Sequence, residues 1–328
     1  LLSYRQERKA AMPGYDTHYL YGINSYRRLP NSNVKRAIRA NRGAYTLGLF
    51  GPDIFFYYAT EVAAARKNIG SIMHTTNTGI FFKYLIEYAE KRKGSDRDIA
   101  IAYLSGFLSH YSLDCICHPY VYWKTDYLHK TKGYTEKHFS LETDIDIMLL
   151  KSYLDTTPYD FTRNSEIRVT VLQMPVICDM LHYAIHKTYH DSRITRRGIK
   201  YAIGSIKKEQ KLIRIASDRL KYLVGNIEKY FAGQQFIAPL IPGGNEIKND
   251  DPLNLNHERW YNPWDMTKSY TLSVPDMLNK AREGYMLTIF LLDSYLDPSL
   301  KTEYSYSALI NNIGSKSYHS GLNCRIPS

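Results

Sequence analysis

The chain has 328 residues, 44% of them hydrophobic, which is enough to fill a proper core. Its longest apolar runs, around Ile99–Leu108 and Met286–Leu292, are too short and too interrupted to cross the roughly 20 residues' depth of bilayer hydrocarbon, so no transmembrane helix is expected. The net charge of +11 favours acidic partners such as phosphate groups, nucleic acid or an anionic membrane surface, although its scatter along the chain suits a plain solvated basic face equally well.

Residues 1–11 carry Arg5, Arg8 and Lys9 without an apolar stretch, so they read as an N-terminal extension and not as a secretory signal; Met12-Pro13 is a candidate start. Four irregularly spaced cysteines (Cys115, Cys117, Cys178, Cys324) do not make a disulfide scaffold, and a reducing, cytoplasmic location is expected. Apolar residues at three- and four-residue spacing predict helices over 57–67, 80–92, 98–118, 135–153, 168–189, 197–231 and 275–296, while alternating strand patterns are scarce. The expected fold is all-α, a single multi-helix domain over residues 12–296, followed by a polar, loosely attached tail over 297–328. Ser95 or Asp96 is placed to cap the helix carrying His110, and Thr135 the one carrying His138. Tyrosine occurs 30 times; core edges and helix surfaces account for most of it, with base stacking or a cation cage as the functional alternatives.

The chemistry concentrates in the histidines. His110 and Asp114 are one helical turn apart, so both project from one face and can reach one ion; His138 and Glu142 repeat the spacing on the next helix. His118 stands about 12 Å along a continuous helix from His110, too far to share its ion. Pro119 is expected to end the helix at His118 and free that imidazole for a second ion, where His118, His138 and Glu142 would form a three-ligand site with an open position. Asp53 at a helix start, His74 and His18 read individually as a cap and as satisfied histidines. His182, His186 and His190 share a helix face with Asp179 and Asp191 nearby, which an exposed polar face explains without a metal. His129, His257 and His319 are isolated and read as non-functional, and Trp260-Tyr-Asn-Pro-Trp264 reads as a packing anchor before a pocket wall.

Taken in chain order, His18, Asp53, His74, His110-x-x-x-Asp114, His118 and His138-x-x-x-Glu142 resemble the metal constellation of the bacterial zinc-dependent phospholipase C enzymes, which share their helical fold with fungal and plant single-strand-specific nucleases. The resemblance covers roughly residues 12–296, with its specific part in 18–142. It implies one zinc held by Asp53, His74, His110 and Asp114, a second by His118, His138 and Glu142, and a third bridged by Asp114 and bound by His18 and an N-terminal residue, a place the secondary amine of Pro13 would fill if the chain starts at Met12 and that Met is removed. The implied activity is phosphodiester hydrolysis by a cluster of two or three zinc ions, with Asp53 orienting or deprotonating the water and Phe55, Phe56 and Tyr57 as substrate contacts. A phospholipid or related phosphodiester is the expected substrate, with peripheral membrane contact; a nuclease of the same fold and a non-catalytic metal-binding scaffold are the alternatives.

Overall fold

The computed structural model describes residues 14–324 apart from 59–67, 130–133, 158–159, 162–167, 216–225 and 227–246. Its helices are α1 (Tyr15–Arg28), α2 (Asn33–Ala40), α3 (Arg42–Gly48), a 3-10 helix (Gly51–Tyr57), α4 (Ile69–Met73), α5 (Thr78–Glu90), α6 (Gly94–Lys124), a short 3-10 turn (Tyr127–His129), α7 (Tyr134–Leu154), α8 (Gln173–Tyr189) and α9 (Arg196–Ile215). A two-stranded antiparallel hairpin, β1 (Trp260–Asn262) and β2 (Asp265–Tyr270), precedes α10 (Val274–Leu296) and α11 (Glu303–Ile313). The all-α class expected from periodicity is what the chain adopts.

Everything is arranged around α6. No Asp, Glu, Lys or Arg interrupts it between Asp98 and Asp114, so it is apolar on all faces and is covered on all of them. It is long and apolar enough to cross a membrane, yet 89% of that stretch is buried inside the protein, which makes it the central core helix. Its N-terminal part, through Phe107 and Tyr111, belongs to a large core shared with α2, α3, α5 and α8. Beyond that, Leu113, Tyr120 and Val121 join a second core with Leu20 and Tyr21 of α1, Leu141 and Ile145 of α7, and Met277 of α10. The turns bearing His110, Asp114 and His118 lie at the seam between the two.

Two glycines let α3 cross α6 at backbone contact. A Cβ at Gly48 would come within 2.3 Å of the Tyr103 carbonyl oxygen, and one at Gly106 within 2.2 Å of that of Tyr45. Tyrosine itself is mainly structural: Tyr21, Tyr45, Tyr103, Tyr120, Tyr285 and Tyr318 are among the largest fully buried side chains, and Tyr45 donates its hydroxyl proton to the Gly22 carbonyl at 2.8 Å.

Pro119 does not end α6, which runs on to Lys124. The proline removes only the amide that would have bonded the Cys115 carbonyl. That oxygen faces Gly321, where a Cβ would lie 2.2 Å from it, so the gap in the helix ladder is covered by glycine backbone from the far end of the chain. Neither Ser95 nor Asp96 caps α6: the helix begins at Gly94, whose φ of +54° makes the entry turn, and Lys93 at the N-cap position offers no side-chain bond. Thr135 lies inside α7, which starts a residue earlier. The segment after Pro298 is not loose: Thr302 and Ser305 form a reciprocal capping box for α11, and Tyr318 beyond it is buried in the large core. Most of the expected 57–67 helix and the end of the 197–231 helix lie outside the described residues.

The α3/α6 crossing generates a stability prediction. Gly106→Ala pushes a methyl into the Tyr45 carbonyl and should lower stability by about 1–3 kcal/mol, the usual range for overpacking. Thermal denaturation measures it; an unchanged melting temperature would mean that the two helices separate without cost.

Candidate metal centre

The sequence brings one face of α6 opposite four separate elements, α1, the 3-10 helix, α4 and α7. Gly51 opens the 3-10 helix with φ of +52°, and a Cβ there would lie 2.3 Å from the His110 ring, so only glycine lets Asp53 approach that imidazole. Asn68 then ties the next element in place, accepting from the Gly70 amide at 2.8 Å and donating to the Phe55 carbonyl at 3.0 Å, which sets His74 at the end of α4 beside Asp53. Across α6, Asp146 of α7 accepts from both the amide and the hydroxyl of Thr17, fastening α1 so that His18 points at Asp114.

The histidines and carboxylates lie close together. His74 Nε2 lies 3.0 Å from Asp53 Oδ1, and His110 Nε2 lies 3.0 Å from Asp114 Oδ2 and 3.9 Å from Asp53 Oδ2. Asp114 turns its other oxygen, Oδ1, to His18 Nε2 at 3.0 Å, and its Oδ2 lies 3.5 Å from His118 Nδ1. Farther along, Glu142 Oε1 is approached by His118 Nε2 at 3.3 Å and His138 Nε2 at 3.4 Å. The ligand atoms of His18, His110 and Asp114, and those of Asp53, His74 and His110, lie within 4.8 Å of one another and could each hold a metal ion.

Hydrogen bonding identifies what these nitrogens carry. His74 Nδ1 donates to the Gly70 carbonyl at 2.7 Å, His110 Nδ1 to that of Leu49 at 2.9 Å, and His118 Nδ1 to that of Tyr318 at 3.2 Å. A carbonyl only accepts, so in the neutral imidazole the lone pair sits on Nε2, directed at a carboxylate oxygen. Two acceptors 3 Å apart repel unless a cation or a proton lies between them. His110 Nε2, Asp114 Oδ2, Glu142 Oε2 and His18 Nδ1 are buried without a hydrogen-bond partner among the described residues. Two ligands about 2.0 Å from a tetrahedral zinc lie roughly 3.3 Å apart, so 3.0–3.4 Å suits shared metal ligation, and the Nδ1 carbonyl bonds supply the customary outer support.

A sequence model of zinc-dependent phospholipase C matches residues 17–203, more than half of the chain. The chain belongs to the zinc-dependent phospholipase C family. No curated protein and no solved structure matches it. The matched stretch contains all eight residues of the array, from His18 to Glu142.

Within this cluster burial and neighbouring charge act in opposite directions. Burial alone would raise the Asp114 carboxyl, but His110, His118 and His18 outweigh it and hold it well below the usual carboxylate range. Burial likewise opposes ionisation of Glu142, and His138 with His118 pulls it down. His118 is the counterpart: burial lowers it, while Asp114 and Glu142 lift it to about 9. Asp146, buried in support of α1, is pushed up to about 7 by desolvation against the Thr17 hydrogen bonds.

The other expected contacts divide. Phe55 is fully buried in the large core against Tyr58 and cannot touch substrate, whereas Phe56 stacks on His74 with ring centroids 5.5 Å apart. The side chain of Tyr57, and Pro13, lie outside the described residues. Trp260 is the anchor, buried with Nε1 donating to the Leu272 carbonyl at 3.1 Å, but Trp264 packs on Tyr122 and Tyr127 at 4.9 and 4.6 Å, and Tyr122 packs on His138. His190 ends α8 in a left-handed conformation, off the helix face it was expected to share, and His186 Nε2 is bonded to the Ile194 carbonyl. His319 was read as isolated and is not: its ring lies 5.3 Å from that of His74 and 6.1 Å from that of His118. Only its residue type marked it, since nothing periodic surrounds it in the sequence.

The raised His118 has a consequence for metal-stripped protein. A folded pKa of about 9 above the ordinary 6.5 contributes stability that is complete below pH 6.5 and is lost as pH rises through 9. Chelator-treated protein should therefore lose roughly 2–3 kcal/mol between pH 7 and 9, whereas zinc, replacing the proton, should abolish the slope. Melting curves with and without zinc measure this; a metal-free protein equally stable at both pH values would contradict the charge assignment.

Proposed function

We propose that the protein is a zinc-dependent phosphodiester hydrolase acting on a phospholipid-type ester, with His18, Asp53, His74, His110, Asp114, His118, His138 and Glu142 as ligands of two or three zinc ions. What supports this most directly is the set of Nε2 lone pairs aimed at carboxylate oxygens around 3 Å away in a buried seam. Nitrogen and oxygen donors without thiolate suit zinc well. Bound zinc supplies Lewis acidity toward the phosphoryl oxygens and a water that loses its proton near neutral pH.

The chain's own residues then have separate tasks. Asp114, 2% exposed, bridges: one oxygen faces His18 and the other faces His110 and His118, so it holds neighbouring ligand sets at fixed spacing. Asp53 has a side chain 14% exposed and is the carboxylate of the array with most access to solvent. It orients the attacking water and takes its proton. Glu142 gathers His118 and His138 on one oxygen and leaves Oε2 unpartnered. Phe56, stacked on His74, forms the apolar edge that a lipid-type substrate passes, and the net charge of +11 favours peripheral contact with anionic headgroups. A nuclease reading draws on the same charge, but it needs exposed stacking platforms, and the fully buried tyrosines are withdrawn from that role.

Elemental analysis of purified protein, hydrolysis of a chromogenic phosphodiester, phospholipid vesicles and single-stranded DNA, and the variants His110→Ala and Glu142→Ala test this together. Two to three zinc per chain, vesicle hydrolysis, and loss of metal with an activity drop of about 100-fold or more in both variants are expected. Preferential cleavage of DNA would move the substrate to nucleic acid. Full zinc occupancy with no hydrolysis would make the protein a metal-binding scaffold, and folded, zinc-supplemented protein that binds no zinc would end the reading.

A further inference from the structure

Residues 315–324 form a tight turn that lies outside the family match and against the metal centre. Lys316 and Asn323 pair in an antiparallel bridge, Ser317 N donates to the Leu322 carbonyl at 2.8 Å, and Cys324 N to that of Ser315 at 2.7 Å. The turn is fastened to elements that carry the array. Its Tyr318 amide donates to the His74 carbonyl at 2.8 Å, and its Tyr318 carbonyl accepts from His118 Nδ1 at 3.2 Å. Asn262 Nδ2 donates to the Ser320 carbonyl at 2.8 Å, and the Lys316 amide donates to the Tyr111 hydroxyl at 2.8 Å. At the tip, Ser317 Oγ accepts from the His319 amide at 3.2 Å and fixes the backbone that carries the imidazole.

This holds the His319 ring over both ends of the array. Its centroid is 5.3 Å from His74, which faces Asp53, and 6.1 Å from His118, which faces Glu142. Those separations are shorter than the 6.4 Å between His74 and His110 and the 6.3 Å between His118 and His138. The ring is also 5.3 Å from Tyr122 and is partly exposed, so it borders solvent as well as the ligands. A ring nitrogen in that place can donate a hydrogen bond to an anion lying across the two ligand sets.

We propose that His319 completes the substrate site by donating to a non-bridging oxygen of the phosphate group. The proposal rests on the phosphodiesterase reading, and its test separates the two. In full-length, zinc-loaded protein, His319→Ala and His319→Gln are compared with the parent for zinc per chain, inorganic phosphate binding by calorimetry, and kcat and KM on a chromogenic phosphodiester. His319→Ala should keep its zinc and its melting temperature, bind phosphate about 10-fold more weakly or worse, and lose kcat/KM by a similar factor. His319→Gln, which still offers an N–H, should recover part of both. Unchanged phosphate binding and kinetics in an active enzyme would overturn the proposal, as would loss of a zinc ion in His319→Ala, which would make the residue a metal ligand. Should the parent hydrolyse nothing yet bind phosphate in a His319-dependent way, the catalytic reading fails and the assignment of His319 as an anion contact stands.

Discussion

A carboxylate at 2% exposure in the middle of a 31-residue core helix is the constraint to which the rest of this structure answers. Asp114 cannot stay ionised there without positive charge close by, and among the described residues no Lys or Arg pairs with it. His18 of α1 and His110 and His118 of α6 surround it instead, and the Leu49 carbonyl holds the His110 Nδ1 proton so that its Nε2, the nitrogen facing the carboxylate, carries no obligatory proton. A cation in that seam would satisfy the donors that α1, the 3-10 helix, α4 and α7 bring together there.

That convergence explains how much was legible beforehand. The i, i+4 pairs His110/Asp114 and His138/Glu142 follow from helical pitch alone, and chain order linked His18, Asp53 and His74 to them by resemblance; in the structure they form a string of neighbours, His18, His110 and His118 beside Asp114, His74 and His110 beside Asp53, and His118 and His138 beside Glu142. Pitch is a local property, and the misreadings came where tertiary contact overrides it. Pro119 looked like a helix end because the preceding residue resists helical geometry, but α6 is buried on every side and the cost of leaving the ladder exceeds that of one missing amide. Phe55 and Phe56 are adjacent in sequence, yet neighbouring side chains on a 3-10 helix point in different directions, one into the core and one onto His74.

His319 was illegible for a different reason. Its distance from His118 is 201 positions in sequence, and the contact depends on how α11 leads the chain back across the site. No short window contains that information. The capping box at Thr302 is readable, but it reports where α11 starts and not where the following turn arrives.

Pro119 and Gly321 show that the turn and the helix are parts of one device. The proline frees the Cys115 carbonyl, and glycine at position 321, with φ of +64°, is what lets the returning backbone lie against it. Because His118 immediately precedes that proline and His319 lies two residues before that glycine, the same close approach sets the spacing between the two imidazoles. A residue with a side chain at 321 would lift the turn from α6, and with it the Tyr318 carbonyl that holds His118 Nδ1. The ligand geometry at the middle of the chain is therefore maintained in part by its C-terminal end, beyond the stretch that the family match covers.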